Sequence, residues 1–319
     1  MKIFNYPLFA FIAIIGFACS TKSQEKNEKQ EAKQPVVRAQ EKLQSNYFHA
    51  PQLPDTIKFA DEVLALSDLD IKERFDRELI VNNFWHSNTF FYLKRANRWF
   101  PVMKPILEEH NIPLDFLYLA VIESGLMQVT SPSGAKGFWQ FLKGTAQDYG
   151  LIVNNYIDER MNIEKSTVAA CEYLQKSYEE FGSWSLAAAA YNRGKAGISR
   201  ILESQNADNF YDLYLNEETS RYVFRIIAAK YILENPEEFG FMIEDNQLYP
   251  PYKIKKVEIE ENISDLVEWA KDNDINYKIL KTLNPWILQK QLFIPKDASI
   301  FINLPADKEQ LNSFEVITR

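Results

Sequence analysis

Cysteine is nearly absent from this sequence. Its 319 residues include two, Cys19 and Cys171, too few for a disulfide framework or a zinc cluster. Histidine is as scarce: His49, His86 and His110 are scattered, and none falls in an H-E-x-x-H spacing, so neither a metal nor any other cofactor is expected. None of the ten glycines belongs to a G-x-G-x-x-G or G-x-x-x-x-G-K run, so a phosphate-cradling loop is lacking. An excess of positive charge is missing too. Lys and Arg number 36 against 44 Asp and Glu, a net charge of -8. That is the wrong sign for a surface that tracks nucleic-acid phosphates, and no nucleic-acid partner is expected. Hydrophobic residues are not lacking: at 46% of the chain they can build a core over most of it.

The N-terminus reads as an export signal. Lys2 precedes an apolar run, Pro7 to Ala18, broken only by Gly16 and too short to span a bilayer. Ala18 and Ser20 flank Cys19 as small residues flank the lipidated cysteine of bacterial lipoprotein signals. A plain secretory signal is the alternative. Lipidation at Cys19 would tether the chain, since several acyl chains together anchor firmly at about 0.8 kcal/mol per buried methylene. Thr21 to Lys42, rich in Gln, Glu and Lys, cannot form a core and reads as a spacer.

From Ile71 to about Asn235 the apolar spacing is helical, as in Phe75, Leu79 and Val81, then Phe91, Leu93 and Trp99. Gly182 and Pro236 mark helix ends. After Tyr252 the pattern changes. Lys253 to Ile259 alternates, Ser264–Asn273 and Tyr277–Leu283 look helical, and Gln291–Ile294 looks extended, a β-α-α-β order for a small module. The expected fold class is therefore mainly α, with a helical domain and a small C-terminal α+β module.

The chemistry centres on Glu123. Seven consecutive apolar residues, Phe116 to Ile122, precede it, and Gly125 follows. A helix here is buried nearly all round, with Pro113 in its first turn, Asp115 at the positive end of its dipole and Gly125 as its stop. Apolar surroundings and the negative helix C-terminus both disfavour a charged carboxylate, so the acid is expected to hold its proton toward neutral pH. Such an acid can protonate the leaving oxygen of a glycosidic bond. A helix-end glutamate facing water fits the spacing equally well. Eight of the ten glycines lie between Gly125 and Gly197. The Ser131–Gly137 run among them suits a groove wall that a ligand approaches closely.

Four ordered motifs narrow this reading: Glu123–Ser124, SPSGAKGFWQF at Ser131–Phe141, AAYNRG at Ala189–Gly194 and ETSRYV at Glu218–Val223, with Asp158–Leu174 between them. Together they resemble the lytic transglycosylase family, whose catalytic domain is of the soluble-transglycosylase, goose-lysozyme-like type. The resemblance implies that Glu123 is the single catalytic acid and that Ser131, Gln140, Tyr191, Asn192 and Tyr222 hold the sugar or orient the acid. It implies cleavage of peptidoglycan between N-acetylmuramic acid and N-acetylglucosamine, with closure to a 1,6-anhydro sugar and no water consumed. Phe138-Trp139 stands where the family carries Leu-Met and is expected to reshape a sugar-stacking wall. Arg193 and Lys195 replace small and acidic residues. Hydrolysis on the same fold, and a non-catalytic wall-binding lipoprotein, are the other readings. Asp158 and Glu159 read as structural, and Cys171 as an inert core thiol.

The end of the chain resembles a LysM glycan-binding module in Leu283–Pro285 and Gln291–Pro295. Asn262-Ile263-Ser264 replaces the usual Gly-Asp-Thr opening, leaving open whether the module binds glycan or only packs on the catalytic domain. The expected organisation is a signal at 1–18, a linker at 19–45, an N-terminal helical region at 46–106, a lysozyme-like domain at 107–240 and a LysM-like module at 250–305. The expected partners are peptidoglycan glycan strands and, through the lipid, a membrane of the bacterial envelope, with the protein on the periplasmic face of the outer membrane.

Overall fold

A computed structural model describes residues 49–296 and 298–306. The export signal, Cys19 and the spacer lie outside the described residues. The described residues from Pro51 form one unit, and it is mainly helical, as the periodicity indicates.

The unit opens with a hairpin, β1 (Thr56–Phe59) and β2 (Glu62–Ala65). The region expected to be helical at 46–106 thus opens with a short hairpin before its helices. Each strand has only four residues, and the turn at Ala60-Asp61 carries no Asn-Gly or Gly signal, so alternation leaves little trace in the sequence. Ile57 and Phe59 point inward, and Glu62 reaches across to a distant helix.

Helices α1 (Leu69–Phe84), α2 (His86–Glu109), α3 (Phe116–Ser124), α4 (Lys143–Asp148), α5 (Ile163–Phe181), α6 (Trp184–Arg193), α7 (Lys195–Gln205) and α8 (Glu217–Glu234) follow. Caps fix several starts. The Asp68, Asn162, Ser183 and Asn216 side chains each accept from a backbone N–H in the first turn. Gly125 and Gly182 close α3 and α5 in the left-handed conformation. α8 is the hub, packing on α1, α3 and α6. α3 runs through the centre, with Phe116 to Val121 all buried, as its unbroken apolar run requires.

Asp115 does not cap α3. Its carboxylate accepts from the Ala60 N–H (3.0 Å) and from Lys230 Nζ of α8 (2.6 Å), tying the hairpin to both helices. Glu62 does the same for α6. It accepts from Ser183 Oγ (2.8 Å), the Ser185 N–H (3.1 Å), Ser185 Oγ and the Tyr211 hydroxyl (3.1 Å). Glu62→Ala leaves these donors without their charged acceptor. At roughly 1.5–3 kcal/mol per charge-assisted bond, it should lower stability by about 2–3 kcal/mol in denaturant unfolding. An unchanged midpoint would mean that water replaces the carboxylate at no cost.

The C-terminal module contains β3 (Ile254–Ile259), α9 (Leu266–Asp272), α10 (Tyr277–Leu283) and β4 (Ile300–Pro305). The strands pair antiparallel in the register Ile254↔Pro305 to Ile259↔Ile300. The β-α-α-β order holds, but the second strand lies at 300–305. Residues 291–294 contribute only a bridge, Leu292 to Ile263. It is β4 that pairs with β3. The module packs on the helical part: Ile157 lies in its core, and the Asp158 N–H donates to Trp286 O (2.9 Å).

Candidate active site

Glu123 lies in the last turn of α3, partly buried, facing a cavity of about 420 Å³. Ser131, Gln140, Tyr191 and Asn192 line the same cavity. Tyr222 does not line it; the fully buried hydroxyl approaches from behind and donates to Glu123 Oε1. Five positions predicted from separate motifs are thus gathered around one carboxyl group.

Burial raises the Glu123 pKa above the usual carboxylate range. The Tyr222 hydroxyl and the Arg225 guanidinium oppose that shift, and the Glu218 carboxylate adds to it. The sequence thus anticipates the direction of the shift, and desolvation is its first cause. Tyr222→Phe removes the hydrogen bond that favours the carboxylate. The alkaline limb of any activity that needs the protonated acid should then move to higher pH, with the limb unmoved if the hydroxyl serves packing alone.

The loop from Thr130 to Phe141 forms one wall. Ser131 Oγ accepts from the Ala135 N–H (3.0 Å) and lies 2.9 Å from Ser133 Oγ. Gln140 has a positive φ of 50° and donates through Nε2 to Gly137 O (2.7 Å) and Val129 O (3.2 Å). Ser124 joins this wall to the helix carrying the acid, its Oγ donating to Phe138 O (2.9 Å). Arg160 braces the loop from below. It pairs with Asp158 at 2.8 Å through two nitrogens and donates to Gly134 O (2.9 Å) and Phe141 O (3.1 Å). Lys136 also reaches Asp158, at 3.2 Å. Asp158 and Glu159, the latter paired with Lys165, are structural, as their motif position indicates.

Phe138 and Trp139 do not form a sugar-stacking wall. Both are buried: Phe138 packs edge-on to Trp99, and Trp139 donates from Nε1 to Thr167 (2.9 Å). Two bulky apolar side chains find more area to bury in the core than at an open groove. The close backbone approach expected of the glycine-rich run also occurs, but at Gly137 against Arg160 rather than against a ligand. Cys171 is a buried thiol with its pKa pushed up to about 12 by desolvation, consistent with an inert core role.

On the opposite wall, Tyr191 donates to Trp139 O (2.7 Å). Asn192 accepts from Thr219 Oγ1 (2.9 Å) and donates to Glu218 (3.3 Å). Glu218 lines both this cavity and a neighbouring one of about 470 Å³ that contains Trp85, Arg221 and Arg225. It is the site residue that the reading from sequence missed. A signal was there: Glu218 lies four residues before Tyr222 on one helix, so the two share a face.

This architecture, a buried helix presenting a carboxyl with a raised pKa to an open groove between a braced loop and a tyrosine-bearing helix, is that of a lysozyme-like domain. Residues 104–213 match the Transglycosylase SLT domain, and residues 255–308 match the Soluble lytic transglycosylase C-terminal LysM-like domain. The chain carries both domains. It is 28% identical over 223 residues to "Membrane-bound lytic murein transglycosylase D" of Escherichia coli (strain K12), an alignment covering 67% of this chain and 47% of that protein. It is 31% identical over 142 residues to "Membrane-bound lytic murein transglycosylase F" of Cronobacter sakazakii, covering 40% and 26% of the two chains. It is also 25% identical over 118 residues to "Putative tributyltin chloride resistance protein" of Alteromonas sp., covering 36% and 57%. The chain spans about half the length, or less, of the transglycosylases it matches.

Proposed function

We propose that this protein is a peptidoglycan lytic transglycosylase with Glu123 as its single acid and base. Glu123 protonates the oxygen between N-acetylmuramic acid and N-acetylglucosamine, and the C1–O bond breaks. The same carboxylate then takes the proton of the muramic C6 hydroxyl, whose oxygen closes on C1. The product is a 1,6-anhydromuramyl end, and no water is consumed. Ser131, Gln140, Tyr191 and Asn192 hold the strand in the cavity, and Tyr222 orients the acid. The observation that carries this reading is the Glu123 carboxyl itself, partly buried at a groove, hydrogen-bonded to Tyr222 and with its pKa raised by burial.

Glu218 favours one second reading. It places another carboxylate in the same cavity, and paired carboxylates serve hydrolysis through a nucleophile or an activated water. Mass spectrometry of digested sacculi separates the two, because lyase products are lighter by one water. Glu218→Gln should leave anhydro products dominant. Products carrying the added water, lost in that variant, would establish the hydrolase instead.

The location follows the lipidation reading. Among the described residues no helix is long and apolar enough to cross a membrane, and attachment is assigned to lipid on Cys19 in the bacterial envelope, at the periplasmic face of the outer membrane. Cys19→Ala should move the protein from the membrane fraction to the soluble fraction. Retention in the membrane would point to another anchor.

A further inference from the structure

Two basic residues, Arg193 and Lys195, follow the Tyr191-Asn192 pair, and their surroundings differ. Lys195 Nζ lies 3.6 Å from Glu180 Oε2 and is paired there. Arg193, the last residue of α6, lines the cavity that Glu123 faces. Among the described residues around that cavity it is the one cationic side chain. Two carboxyl groups, Glu123 and Glu218, line the same space. Yet among the described residues Arg193 forms no ion pair with either, and its guanidinium makes no hydrogen bond. The head is exposed, but the stem has a defined course across Gly197 of α7. A Cβ on residue 197 would lie 3.2 Å from Arg193 Cγ, 3.8 Å from Cδ and 3.9 Å from Nε. Glycine inside a helix costs about 1 kcal/mol against alanine, and no left-handed φ calls for it at 197. What it supplies is room for the arginine stem.

We propose that Arg193 is a specificity-determining residue that pairs with a carboxylate of the substrate, carried on the lactyl arm of a muramic acid residue in the cavity. This rests on the reading of the cavity as a glycan groove and adds to it which strands are preferred. An N-acetylglucosamine residue offers hydroxyls and an amide, all neutral. The ionised group of such a strand is the lactyl carboxylate or, where a peptide is attached there, a carboxylate of that peptide. A guanidinium binds either through two parallel N–H donors, a geometry that neutral sugar oxygens do not match. The chain leaves this cation unpaired beside two of its own carboxyl groups, so a third, brought by the ligand, has an open partner. Asn192 and Tyr191, the preceding residues of α6, line the same wall, which sets the guanidinium next to the positions read as holding the sugar.

The test is titration calorimetry on the whole chain carrying Glu123→Gln, so that ligands are bound and not cut. Three ligands of matched length are compared: a neutral β-1,4-linked N-acetylglucosamine oligomer, glycan strands stripped of peptide, and strands with their peptides attached. Adding Arg193→Gln should weaken binding of a carboxylate-bearing strand roughly three- to tenfold, the size expected of one partly exposed charge-assisted pair. Affinity for the neutral oligomer should stay as it was. The difference should shrink as salt is raised, and Arg193→Lys, which keeps the charge, should restore part of it. Loss on stripped strands assigns the lactyl carboxylate, and loss confined to peptide-bearing strands assigns the peptide. Equal weakening for the neutral oligomer would make Arg193 a packing residue, and no weakening for any ligand would remove it from recognition; either overturns the proposal and leaves the groove standing. Failure of all three ligands to bind would overturn the groove reading as well.

Discussion

Glu123→Gln is expected to fold, retain the cavity and lose glycan cleavage by a factor of about 10²–10⁴, the usual contribution of a positioned proton donor. The amide is close in shape to the acid and can still accept from the Tyr222 hydroxyl through its oxygen, so α3 and α8 keep their contact. What it cannot do is give up a proton to a leaving oxygen or take one back. Stability provides a second, independent readout. Because burial raises the Glu123 pKa, the folded chain binds this proton more tightly than the unfolded one. That contribution is fully present below the unfolded value and is lost as pH rises through the folded one. Glutamine has no proton to lose. The variant should therefore match the wild type in acid and exceed it in stability at higher pH. Digestion of purified sacculi at the wild-type rate would remove Glu123 from the chemistry. A stability difference that did not grow with pH would place the carboxyl in a watery setting.

The residues of the candidate site are legible in the sequence to different degrees, for reasons that differ by residue. Glu123 stood out because an acid ending a seven-residue apolar run conflicts with its surroundings, and such conflicts concentrate where function is paid for in stability. Ser131, Gln140, Tyr191, Asn192 and Tyr222 were legible only as members of ordered motifs; alone, each is an ordinary polar or aromatic residue. Cooperation across distance was not legible. Asp115 has the right position for a helix-dipole role, yet the Ala60 N–H and Lys230 claim its carboxylate. Nothing local in the sequence announces partners 55 and 115 residues away. The β1–β2 hairpin was hidden by its brevity, and β4 by a loop that intervenes with a more conspicuous apolar run. Phe138 and Trp139 depart from the motif and do not take the groove-facing use inferred for them, because area burial decides where large rings go. Glu218 was missed although its spacing from Tyr222 on one helix face placed it.

Gly137→Ala is expected to damage the protein more than other small changes in this loop. At φ 78°, a Cβ on residue 137 would lie 1.9 Å from Arg160 O and 2.8 Å from Arg160 C. Those are backbone atoms, and they cannot yield easily. Arg160 is clamped by its paired bonds to Asp158, and the next residue up the chain from that pair, Ile157, packs in the core of the C-terminal module. The loop itself must therefore move, at roughly 1–3 kcal/mol for overpacking and about 1–2 kcal/mol for a left-handed alanine. Together these should lower the melting temperature by about 10 °C. Displacement would also carry Ser131 and Gln140 away from Glu123 and pull Phe138 O from Ser124, so activity should fall further than the melting temperature alone explains. Gly134→Ala is the control. It has a similar φ of 82° and nothing within 4 Å of the added carbon, so it bears the conformational cost alone and should melt only a few degrees below the wild type. If the two variants melt together, the close packing of Gly137 on Arg160 does not set the shape of this wall. If Gly137→Ala alone loses both stability and cleavage, the wall, and not the acid by itself, makes the groove.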